Sequence, residues 1–92
     1  MTFEPDRARE DLRRFIVKNF LFGGGTDTLT DSGSLLEAGI IDSTGVLELV
    51  AHIEGAYSIK VEDEEMVPEN LDSIVSLVAF LGRKLEARAT RK

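Results

Sequence analysis

Ser43 follows Asp42 and precedes Thr44-Gly45-Val46-Leu47-Glu48-Leu49-Val50, where a polar stretch gives way to apolar residues at helical spacing. A hydroxyl placed there can attack a substrate or receive a group from another enzyme. Attack requires a base within hydrogen-bond reach. The chain has one histidine, His52, nine residues on in the same predicted helix. Helical geometry puts the two ~13 Å apart along the axis and about 180° apart around it. A serine–histidine–aspartate triad within one domain is thereby excluded. His52 is expected at the surface. Asp42 suits a helix cap, and a carboxylate of ordinary pKa is a poor base for an alcohol.

Other chemistry is equally poorly supplied. With no cysteine and one histidine, metal ligation falls to carboxylates, and these form no tight cluster. Glu62-Asp63-Glu64-Glu65 lacks the alternating ligands, central Gly and closing Glu of a calcium loop. Gly23-Gly24-Gly25 is followed by Thr-Asp-Thr, without the Lys and helix start of a nucleotide loop. The residues form neither a catalytic nor a metal-binding set, so the chain is not expected to be an enzyme. Ser43 reads as an attachment point that another enzyme modifies.

Four helices must position it. Residues 5–21 read as the first, with Pro5 at an initial position, Asp6 at the positive dipole end, and Ala8, Leu12, Phe15, Ile16 and Phe22 on one side. The glycine run stops it. Residues 23–42 form a long connection, in which Ser34 can cap a turn carrying Leu35 and Leu36 and so pin the loop. A loop of that length in a small domain is uncommon unless it is functional. Residues 43–57 read as the second helix, capped by Asp42 or Ser43. With Val46 as zero, Val50, Ile53 and Tyr57 fall within about 40° and Leu49 about 60° away, which makes the core stripe. Ser43, Leu47 and Glu54 lie at about 60–100°, and Thr44, Glu48, Ala51 and Gly55 at about 140–200°. This second face suits partner docking, although a single surface Leu is ordinary. The acidic run 62–65 can begin a short third helix that Pro68-Glu69-Asn70 ends. Asp72 or Ser73 caps the fourth, residues 73–86, with Ile74, Leu77, Val78, Leu81 and Leu85 as its stripe. Residues 87–92 are expected to fray. The fold class is all-α: three main helices and one short one, in a single domain spanning 1–92 with its core at about 5–86.

Charge narrows the partners. The net charge of −6 is uneven: +1 over residues 1–22, −9 over 23–65 and +2 over 66–92. Nucleic acid is disfavoured, because phosphate contacts need clustered Lys and Arg. A basic protein partner is favoured by complementary potential, though acids also simply keep a small domain soluble. No apolar run approaches the ~20 residues of a membrane span. Met1 to Arg14 lacks the apolar segment of a secretory signal, so a cytoplasmic monomer is expected.

The run Leu36-Glu37-Ala38-Gly39-Ile40-Ile41-Asp42-Ser43 resembles the signature of acyl carrier proteins and the related peptidyl and D-alanyl carriers: hydrophobic-x-x-Gly-hydrophobic-x-Asp-Ser leading into a helix. Glu48-Leu49 and Ile53-Glu54 resemble the family's second helix. Tyr57-Ser58-Ile59-Lys60-Val61 resembles its aromatic-x-x-x-Ile/Val exit, and Asn70-Leu71-Asp72-Ser73-Ile74 the fourth-helix start of the aminoacyl and D-alanyl branch. The similarity covers about residues 8–86. It implies a right-turning four-helix bundle whose Ser43 receives 4′-phosphopantetheine from coenzyme A through a Mg²⁺-dependent phosphopantetheinyl transferase. The arm's thiol would carry an acyl or aminoacyl thioester, which a thiol-free chain cannot supply itself. The resemblance makes Asp42 part of transferase recognition, and Thr44, Leu47, Glu48, Ala51 and Glu54 the docking face. Thr44 and Gly45 depart from the Leu and acidic residue usual in fatty-acid-synthesis carriers. They point instead to a stand-alone carrier loaded by an adenylating acyl or aminoacyl ligase and emptied by an acyl-transfer or condensing enzyme. The alternative is a non-catalytic acidic helical adaptor for a basic protein.

Overall fold

Pro5 opens the first helix, α1 (Pro5–Phe20), where its fixed φ suits the first turn and its missing N–H forfeits no bond. The structure, a computed structural model, describes residues 3–21 and 29–90, with side chains through residue 87. Among the described residues the remaining regular elements are α2 (Ser43–Tyr57), a 3₁₀ turn (Asp63–Glu65), α3 (Pro68–Leu71) and α4 (Ile74–Thr90). No strand occurs among them. The all-α architecture read from helical periodicity is the observed one.

Spacing by three and four residues delivers one buried face per long helix. Ala8, Leu12 and Ile16 of α1, Leu49, Val50 and Ile53 of α2, and Ile74, Leu77, Phe80 and Leu81 of α4 form one core. Phe15, Val46, Tyr57 and Val78, expected on the apolar stripes, pack at its edge and are half-buried. Phe80, not anticipated, is fully inside. The glycine run 23–25 and Phe22 lie outside the described residues. α1 closes before them, at Phe20, with the Leu21 amide bonded to the Ile16 carbonyl.

The loop before α2 is part of the core. Leu29, Leu35, Ile40 and Ile41 are buried, and Leu35 is 1% exposed. Truncating such a leucine to alanine costs about 2–5 kcal/mol. As expected, Ser34 caps the turn: its Oγ accepts from the Glu37 amide at 3.0 Å. Leu36 is not pinned with Leu35 and stays 41% exposed. Gly39 supplies the left-handed backbone (φ 72°) that reverses the chain toward Ile40.

Two boundaries differ from expectation. Pro68 starts a helix rather than ending one, because it occupies the first position of α3. The acidic run before it makes only the 3₁₀ turn. α4 also continues past residue 86 to Thr90, since Leu85-Glu86-Ala87-Arg88-Ala89 contains good helix formers and no stop. Arg91 and Lys92 lie outside the described residues.

Candidate functional site

Asp42 decides how α2 begins. Its backbone is extended, and its Oδ1 accepts from the Gly45 amide at 2.8 Å, which makes it the N-cap. Ser43 is therefore the first helical residue. It is exposed, as are Thr44, Leu47, Glu48 and Ala51. Leu47 is 59% exposed, the most open of the large exposed apolar side chains. The first amides of α2 have no partner within the helix, and they lie at the positive end of its dipole, beside Ser43.

Gly45 turns inward beneath this surface. A Cβ there would meet Ile41 Cγ1 at 2.5 Å and Phe20 at 3.0 Å. Glycine thus lets the end of α1 and the last loop residues close against the first turn of α2. In the sequence Gly45 reads only as a missing acid, because the contact that requires it is non-local.

Upstream, the loop is tied from three sides. Asp72 accepts from the Ser34 hydroxyl and, at 2.9 Å, from the Leu36 amide, while its carbonyl accepts from the Leu35 amide at 2.7 Å. Asp31 receives Arg9 at 3.3 Å and Arg13 at 3.4 Å, and its carbonyl accepts from the Val75 amide. The cap of α4 is Ser73, whose Oγ accepts from the Ser76 amide at 3.1 Å. Of the two candidates for that cap, Asp72 is the residue released to hold the loop.

Glu54, grouped by angle with Ser43 and Leu47, is half-buried. Its Oε2 accepts from the Val61 amide at 2.9 Å and folds the exit of α2 back on the helix. That exit turns at Ser58, in the left-handed region at φ 55°. Glu48 is left as the exposed carboxylate among the face residues.

His52 is not a plain surface residue. Its ring stacks on Phe15 with centroids 4.0 Å apart and planes 14° apart. Its Nε2 lies 3.1 Å from Asp11 Oδ2, which also accepts from the Tyr57 hydroxyl at 3.3 Å. Burial first, then the Asp11 charge and hydrogen bond, pushes the Tyr57 phenol up to about 12. His52 is thus committed to the α1–α2 joint, on the side of α2 away from Ser43. Ser43 is thus an exposed first residue of α2, and His52 does not share its side of the helix. Among the described residues there is also no group of three or more His, Cys, Asp or Glu able to hold a metal ion, and no helix long and apolar enough to cross a membrane.

No family model and no curated protein matches this chain. It is similar to a chain in the crystal structure of an FAD-dependent dehydrogenase: 34% identity, TM-score 0.67, covering 76% of this chain and 97% of that one. The aligned share of 92 residues makes that other chain only about 72 residues long. With this identity over nearly its whole length, the present chain belongs to one family with that short chain.

Proposed function

We propose that this protein is an acyl or aminoacyl carrier whose Ser43 bears 4′-phosphopantetheine. The observation that carries the reading is the placement of Ser43. It is an exposed first helical residue, set by the Asp42 cap and a firmly tied loop, within a run resembling the carrier signature. The position fits the group: a phosphodiester on Ser43 would sit at the positive end of α2, where uncapped amides favour an anion. The arm supplies a thiol for thioester chemistry. The chain's own residues fix the backbone of Ser43 at the helix start, leave its side chain open to solvent, and present Thr44, Leu47, Glu48 and Ala51 to the enzyme that modifies it.

The proposed partners are a phosphopantetheinyl transferase, an adenylating acyl or aminoacyl ligase, and a downstream acyl-transfer or condensing enzyme. The related short chain adds a class. About 72 residues fall well short of a dinucleotide-binding fold. The similarity to a chain from the crystal structure of an FAD-dependent dehydrogenase favours a flavin-dependent dehydrogenase among the enzymes that act on the tethered cargo.

Incubating the protein with coenzyme A, Mg²⁺ and a broad-specificity transferase tests the carrier reading. Mass spectrometry is expected to find one phosphopantetheine on the Ser43 peptide and none on Ser43→Ala. Addition that survives Ser43→Ala refutes the assignment. The acidic-adaptor reading predicts the opposite dependence: Ser43→Ala leaves function intact, and charge reversal at Glu48 abolishes it.

A further inference from the structure

A shallow crevice lies between α1 and the side of α2 turned away from Ser43. Asp11, Arg14, Phe15, Lys18 and Asn19 of α1 and His52 of α2 line this largely open crevice of about 300 Å³. Its floor is the Phe15–His52 stack, a flat aromatic surface half-open to solvent. Its carboxylate is occupied, because Asp11 Oδ2 is shared by His52 and Tyr57. Its cations are not. Among the described residues, Arg9 and Arg13 are paired with Asp31 and Lys84 with Glu65, whereas Arg14 and Lys18 are exposed and have no carboxylate within ion-pair distance. In a chain of net charge −6, two uncommitted cations one helical turn apart beside an aromatic floor form a local positive site.

We propose that this crevice docks an acidic, aromatic-bearing segment of a partner protein. Carboxylates would pair with Arg14 and Lys18, and one ring would pack against the exposed edge of the Phe15–His52 stack. His52 lies about 180° around α2 from Ser43. A partner held at the crevice therefore leaves Ser43 uncovered. This inference goes beyond the carrier reading and does not depend on it.

The test is titration of the ¹⁵N-labelled full chain at low salt with a capped pentapeptide of four glutamates around one phenylalanine. Amide shifts are expected over residues 14–19 and 51–53, with residues 43–47 unmoved, and Ser43→Ala is expected to bind equally well. Arg14→Glu with Lys18→Glu should weaken binding at least tenfold. If that variant fails to fold, Arg14→Gln with Lys18→Gln should weaken it several-fold. Four results would each overturn the proposal: no shifts, unchanged binding by the folded variants, equal shifts with the lysine counterpart of the peptide, or equal shifts with inorganic phosphate alone, which would indicate a small-anion site instead.

Discussion

At the scale of single residues, Asp42 and Gly45 make Ser43 available. Asp42→Ala removes a side-chain cap and should destabilise the protein by on the order of 1 kcal/mol. It should also slow modification of Ser43. A stability loss with an unchanged modification rate would show that Asp42 acts only as a cap. Gly45→Ala sets two effects against each other. Alanine favours the helix by about 1 kcal/mol, but its methyl would press on Ile41 and Phe20. Overpacking of this kind costs ~1–3 kcal/mol, so denaturant unfolding should show net destabilisation or no gain. Tyr57 gives a direct reading of the α1–α2 joint, because the chain has one tyrosine and no tryptophan. Its phenol is raised to about 12, which means that the fold favours the neutral form. The associated stability is complete below the ordinary tyrosine value near 10 and is lost as pH rises through about 12. Phenolate absorbance should show the high midpoint in the wild type and a lower one in Asp11→Asn.

Among the secondary elements, the helices were legible in the sequence and their joints were not. Apolar residues three and four apart mark one face of each long helix whatever that face meets, so α1, α2 and α4 fall within a few residues of their expected spans. What Asp72, Glu54 and His52 touch depends on elements up to 41 positions away in the chain, and no local pattern encodes that. Asp72-Ser73 illustrates the limit. Either residue can cap α4, and only the approach of Ser34 and Leu36 separates their roles. Asp72→Ala should therefore act on the loop, not on α4. Losing the bonds to the Leu36 amide and the Ser34 hydroxyl costs about 0.5–1.5 kcal/mol each. Hydrogen exchange should show protection falling first at the Leu35, Ile40 and Ile41 amides. Exchange rising equally along α4 would mean that Asp72 serves the helix instead. The 3₁₀ turn is held from the other direction. Burial pushes Glu65 up, but the Glu62 amide and Lys84 outweigh it and hold the carboxyl below its usual range. That contribution is present above the ordinary glutamate value and is lost as pH falls through the lower one.

For the whole molecule, charge counted along the chain overstates the anionic surface. The −9 of residues 23–65 includes Asp31, Glu54 and Glu65, which are half-buried and bound within the fold. What faces a partner around Ser43 is small and apolar at Thr44, Leu47 and Ala51, with Asp42 and Glu48 as exposed carboxylates. Two cations without an ion pair, Arg14 and Lys18 of α1, lie with His52 on the side of α2 away from Ser43. The protein thus presents two chemically distinct faces, one holding the hydroxyl and one holding the cationic crevice. The carrier account stands or falls on the first. Its most direct test is the intact mass of the protein purified from its native source, followed by fragmentation of the Ser43 peptide. The account predicts a phosphopantetheine on Ser43, with or without a thioester-linked cargo; an unmodified Ser43 in protein that remains unmodified when offered coenzyme A and a transferase would contradict it.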